Sequence, residues 1–144
     1  FVQKYLNVEL ISKSVFEIAD SFVAQDINAL VDKMSRIKRL GIKFSMDDFG
    51  TGYSSLSYLR RIPIDELKID KSFTMEIDEY NQNSAMIKTI LNIAKNLGLS
   101  IVAEGVETKL QKDFLVKNRC DVLQGYYFLK PVDRNGFEEY VINM

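Results

Sequence analysis

The sequence predicts an α/β fold built on parallel strands. Short apolar runs alternate with longer amphipathic segments along the chain. The links between them are short, and the two clearest amphipathic segments each end at a glycine, Gly41 and Gly98. Strand and helix in alternation with short links call for parallel strands joined by right-handed crossovers. Periodicity leaves two architectures open at this point, a small doubly wound sheet and part of a barrel.

The elements follow in order. Residues 2–11 read as the tail of an earlier helix. Residues 15–19 form a first strand. Residues 26–40 carry Ile27, Leu30, Val31, Met34, Ile37 and Leu40 at helical spacing, and Gly41 closes that helix. Strands are expected at 42–46, 67–69, 99–103 and 122–123. Between them fall helices at 54–61, stopped by Pro63, at 84–97 and at 109–118. A last helix at 134–142 follows Pro131. The strands read as near-continuously apolar, as when helices cover one sheet face and side chains fill the other. No low-complexity segment or long linker interrupts the 144 residues, so one domain is expected.

Composition excludes several chemistries. Apolar residues make up 47% and charged residues 27%, ordinary for a soluble globular protein. The net charge of −1 argues against a DNA or RNA polymer as partner. No apolar run reaches the roughly 20 residues of a membrane span, so no membrane contact is expected. There is no His, which rules out Ser-His-Asp and Cys-His catalysis within the chain. The single Cys, Cys120, rules out an internal disulfide and a multi-Cys zinc site, and reads as a core or interface thiol. Catalysis would rest on carboxylates, Lys, Tyr, hydroxyls or oxygen-bound metals. Phe1 is not a natural start, so the chain is expected to be an excised or processed piece.

Polar residues gather at the C-terminal ends of the expected strands, where parallel α/β folds place their sites. Glu17 and Asp20 mark the first strand, Asp47 and Asp48 the second, Lys68 and Asp70 the third. Glu104 and Glu107 mark the fourth, Gln124 the fifth. Each group has a bland explanation: Asp47-Asp48 as a turn and cap, Glu17 at a wet edge, Lys68–Asp70 as a salt bridge, Glu107 as a helix-start carboxylate, Gln124 as structure. Their common placement is what singles them out. So many carboxylates beside one Lys repel unless cations neutralise them, and all-oxygen ligands favour Mg²⁺, Mn²⁺ or Ca²⁺. Two such ions suit phosphoester hydrolysis.

Four motifs carry a resemblance. Residues 47–56 (Asp-Asp-Phe-Gly-Thr-Gly-Tyr-Ser-Ser-Leu), 68–73 (Lys-Ile-Asp-Lys-Ser-Phe), 103–108 (Ala-Glu-Gly-Val-Glu-Thr) and 124–128 (Gln-Gly-Tyr-Tyr-Phe, with Lys130-Pro131) stand in order and at the spacing of the EAL domains. The sequence resembles this family of cyclic di-GMP phosphodiesterases. Phe16-Glu17-Ile18-Ala19-Asp20-Ser21 aligns with a further family segment, with Ala19 where Thr is usual and Asp20 where a second Glu is usual.

The resemblance implies the C-terminal portion of one domain: a partial TIM-type (β/α) barrel of about five parallel strands with helices outside and the N-terminal strands, with their Glu-Ala-Leu motif, missing. It implies hydrolysis of cyclic di-GMP to linear pGpG in the bacterial cytoplasm, with two Mg²⁺ or Mn²⁺ ions. Glu17, Asp47 and Asp48 are then metal ligands, and Glu104 ligates metal or acts on the water. Lys68 orients that water or stabilises phosphate charge, and Gln124 contacts water or substrate. Asp20 anchors the loop after Asp48, while Glu107 and Asp70 support the site from behind. Bare sheet edges imply a homo-oligomer or a complementing fragment, with little activity from this chain alone. A non-catalytic cyclic di-GMP sensor is the alternative.

Overall fold

In a computed structural model the described residues are 13–19, 26–50, 56–78 and 84–143. They form five strands and six helices: β1 (Val15–Ala19), α1 (Ile27–Lys38), β2 (Lys43–Phe49), α2 (Leu56–Leu59), β3 (Glu66–Ile69), α3 (Lys71–Met75), α4 (Ser84–Asn96), β4 (Ser100–Ala103), α5 (Lys109–Lys117), β5 (Val122–Leu123) and α6 (Arg134–Ile142). All strands are parallel and lie in chain order, β1-β2-β3-β4-β5. The expected helix over 2–11 and the start of the one over 54–61 fall outside the described residues.

Local chemistry sets the helix starts. The Asp26 carboxylate accepts from the Asn28 and Ala29 N–H groups and caps α1. Asp70 caps α3, Thr108 caps α5 and Asp133 caps α6. At the opposite end of the sheet, two loop aspartates bind the start of a neighbouring strand. Asp65 accepts from Phe44 N (2.9 Å) and Lys38 Nζ (2.6 Å), and Asp121 accepts from Ile101 N (2.9 Å).

The sheet is two-faced, which corrects the expectation of near-continuously apolar strands. One face carries Phe44, Met46, Leu67, Ile69, Ile101 and Ala103, all at most 3% exposed, beneath Ile87, Ile90, Leu91 and Ala94 of α4. Burying each large side chain contributes about 1.5–3 kcal/mol, so this side holds the unit together. The other face is polar. In register, Glu17, Ser45, Glu66 and Ser100 form one row, with Asp47 and Lys68 above it. Among the described residues no strand pairs with the outer edge of β1 or of β5: Val15 and Phe16 of β1 are 45% and 40% exposed, Val122 of β5 is 47% exposed, and α6 buries no residue. Among the described residues no helix is long and apolar enough to cross a membrane.

Past β4 and β5 the backbone closes tightly. Val106 N–H donates to the Gln124 carbonyl (3.0 Å), and the Val106 carbonyl accepts from Tyr127 N–H (2.9 Å). A methyl group at Gly125 would lie 2.2 Å from the Val106 oxygen and 2.3 Å from its nitrogen, so only glycine fits. Gly98 takes φ 70° but has open space around it. Gly125→Ala is therefore expected to cost about 3 kcal/mol by overpacking, and Gly98→Ala about 1 kcal/mol from backbone strain alone. Urea titration of the two variants checks both the costs and their order.

Candidate active site

The site is built around one ammonium group. Lys68 sits on β3 with its residue 9% exposed. Its Nζ lies 2.7 Å from Glu104 Oε1, 2.9 Å from Glu17 Oε1 and 3.0 Å from Asp47 Oδ1. These carboxylates come from β1, β2 and the residue after β4, so three neighbouring elements deliver them to one point. Burial pulls the Lys68 pKa down, but the surrounding carboxylates of Glu104, Glu17 and Asp47 outweigh it and hold the ammonium well above its ordinary range. Lys68 is thus a fixed cation and donor, not a base.

A β-bulge supplies the acidic pair. Met46 pairs with Leu67 and Phe49 with Ile69, so Asp47 and Asp48 together oppose Lys68. Asp48 takes φ 55°, a left-handed conformation that Asp tolerates better than most residues. The charge of Asp47, then burial and the charge of Asp70, raise the Asp48 pKa. Asp70 itself is spent on structure: its carboxylate accepts from Ser72 N and Ser72 Oγ at the start of α3. Those bonds outweigh burial and lower its pKa.

Glu104, Glu107 and Gln124 meet elsewhere, along a cavity of about 390 Å³ beside Lys71, Gly105 and Tyr126. Glu104 alone belongs both to this wall and to the Lys68 cluster. Asp20 lies outside the described residues. Cys120 is a core thiol, pushed up to about 11 by burial.

Among the described residues no three Asp, Glu, Cys or His side chains surround a metal position of their own; the carboxylates converge on the ammonium instead. The donor set nonetheless fits a hard divalent cation. Four carboxylates, those of Glu17, Asp47, Asp48 and Glu104, stand against one Lys. The buried Asp47 Oδ1 has an ion pair at 3.0 Å but no well-aligned hydrogen bond.

Several residues that matter here lie within or beside the quoted motifs without a role of their own in the sequence analysis. Gly125 and Val106 lock the Glu104 loop to the Gln124 loop. Gln111, 6% exposed, accepts from Glu107 N (2.8 Å) and Thr108 N (2.9 Å) through one side-chain oxygen. A signal for the last was present: Thr108 and Gln111 have the spacing of a capping box.

Comparison with known proteins agrees with the motifs. The EAL domain family pattern matches residues 2–131. The chain is 42% identical over 125 residues to the cyclic di-GMP phosphodiesterase NbdA of Pseudomonas aeruginosa, covering 87% of this chain and 16% of that protein. The PaMucR phosphodiesterase in complex with c-di-GMP superposes with a TM-score of 0.81 at 38% identity, over 88% of this chain and 51% of the other. BlrP1 of Klebsiella pneumoniae, solved with manganese and cy-diGMP, gives a TM-score of 0.76 at 28% identity, over 84% and 31%. The chain thus spans about a sixth of its curated relative NbdA and half of a solved relative. Its five parallel strands match part of the TIM-type barrel of those structures. By sequence pattern and by fold, the chain belongs to the EAL domain family of cyclic di-GMP phosphodiesterases.

Proposed function

We propose that this chain is the C-terminal portion of a single EAL domain, and that it supplies most of a site hydrolysing cyclic di-GMP to linear pGpG. The observation that carries the reading is the convergence of Glu17, Asp47 and Glu104 on Lys68 at the C-terminal strand ends. In this reading Glu17, Asp47, Asp48 and Glu104 hold Mg²⁺ or Mn²⁺. Bound there, the metal supplies Lewis acidity, neutralising phosphodiester charge and making a nucleophile available at neutral pH.

The chain's own residues divide the remaining work. Lys68 keeps its proton and aims it at charge developing on the phosphate. Glu104 links the ammonium cluster to the cavity wall, and so is placed to accept the proton of the attacking water. Gln124, on the same wall, orients substrate or water with its amide. Glu107 and Asp70 shape the loops behind. The substrate is a nucleotide messenger, which favours the bacterial cytoplasm as the place of reaction.

The exposure of Val15, Phe16 and Val122 on the outer strands supports a domain completed by other strands. Parallel sheets are normally covered, and unpaired edges recruit partners. In multi-angle light scattering the chain alone is expected to self-associate; a monomer across the concentration range would refute this. With Mn²⁺ and cyclic di-GMP the chain alone is expected to release little pGpG. Joined to preceding strands of its domain it should turn over, and Lys68→Met should then cost about 10²–10³-fold in kcat. Binding without turnover in the longer protein would favour the sensor reading.

Asp48→Asn offers a second check. Repulsion from Asp47 raises the Asp48 pKa, so the ionised Asp48 costs stability above that pKa, and the cost is relieved as pH falls through it. Asn removes the charge and suits φ 55° better. In EDTA the variant should melt at a higher temperature than the parent. With Mn²⁺ present the order should reverse, because a metal ligand has been removed.

A further inference from the structure

We propose that Gln111 is a positioning residue: by accepting from Glu107 N and Thr108 N it fixes the loop that delivers Glu104 to Lys68. The proposal rests on the reading of the Lys68 cluster given above. Glu104 stands alone among the three carboxylates on Lys68 in being carried on a loop, since Glu17 and Asp47 lie within β1 and β2. A loop residue opens less readily when its backbone is tied on both sides.

The backbone donors of this loop show how it is tied. Glu104 N–H donates to the Ile69 carbonyl (3.1 Å), and Val106 N–H to the Gln124 carbonyl (3.0 Å). Glu107 N–H and Thr108 N–H both find their acceptor in Gln111 Oε1, at 2.8 and 2.9 Å. Gly105, at φ 70°, is pressed so closely on Lys71 that a methyl there would lie 2.6 Å from Lys71 Cβ. The near end is thus tied to β3, the middle to the Gln124 loop, and the far end to a single side chain one helical turn on.

Gln111 is itself 6% exposed, so losing its oxygen leaves two part-buried N–H donors without an acceptor. The loop would then open, and the 2.7 Å pair between Glu104 and Lys68 would be the first to break. A plain helix cap would behave differently. The Thr108 hydroxyl accepts from Gln111 N (3.2 Å) and caps the same helix without touching Glu107 N. Removing it should loosen α5 but leave the loop in place.

The test reads the Lys68 ammonium directly, in the 144-residue chain without divalent cations. Three carboxylates shield its protons, so ¹⁵N-detected spectra should show a slowly exchanging ammonium signal, assigned by its loss in Lys68→Met. Gln111→Leu removes the acceptor, Gln111→Asn withdraws it by one methylene, and Gln111→Glu keeps it. Exchange at Lys68 should quicken about fivefold or more in the Leu and Asn variants and stay within about twofold of the parent in Gln111→Glu and Thr108→Val. If Gln111→Asn leaves exchange unchanged, or if Thr108→Val quickens it equally, Gln111 is only a helix cap and the proposal falls. No protected ammonium in the parent chain would instead overturn the reading of the Lys68 cluster itself.

Discussion

A nearly buried ammonium among three carboxylates sets the terms for the rest of this structure. Lys68 could not stay charged at 9% exposure without partners, and Glu17, Asp47 and Glu104 could not crowd together without a cation. Each side of the pairing makes the other tolerable. The contact distances, 2.7 to 3.0 Å, leave little slack, and the partners arrive from three separate elements. Strand register must therefore be correct across β1, β2 and β3, because a slip of one residue would turn the carboxylates to the helix-covered face.

Part of the irregular backbone lies where this demand is greatest, while Gly41, Gly98 and Arg119, also at positive φ, follow helices elsewhere. A bulge doubles the acidic residues opposite Lys68 and sets Asp48 at φ 55°. Gly50 follows at φ 99°, against the Phe73 ring, where a methyl would sit 2.9 Å away. Gly105 and Gly125 let two loops close against Lys71 and Val106. Such conformations and contacts exclude ordinary side chains, and they persist because the apolar face of the sheet is packed firmly enough to hold them. The core beneath α4 and the charged cluster above β3 are two faces of the same five strands.

Much of this is readable from the residues. The order of strands and helices follows from apolar periodicity, and the polar residues at strand ends mark the candidate site before any family likeness enters. What stays hidden depends on distances that sequence does not encode. The helix α3 escapes notice because five residues carry no periodic signal, although Asp70 before Lys71-Ser72 is a sound cap. The alternation of polar and apolar faces is obscured because Val102 and Val122 stand on the polar side, making residues 101–103 and 122–123 look uniformly apolar. Asp70 groups with the acidic site by position along the chain, yet its carboxylate serves α3. Gln111 does not stand out because its importance lies in what its oxygen reaches back to touch.

The two faces of the sheet also differ in how complete they are. On the helix side, Leu67, Ile69, Ile101 and Ala103 are fully enclosed by this chain alone. On the polar side, Ser45 Oγ and Asp47 Oδ1 are buried without a well-formed hydrogen bond, and Glu17 remains 56% exposed along its side chain. Buried polar atoms seldom go unsatisfied in folded proteins. Both atoms lie on β2, beside the exposed β1, and Thr74 Oγ1 on α3 is likewise buried without a hydrogen bond. The stability of the unit therefore resides in the apolar face, while the polar one carries the Lys68 cluster.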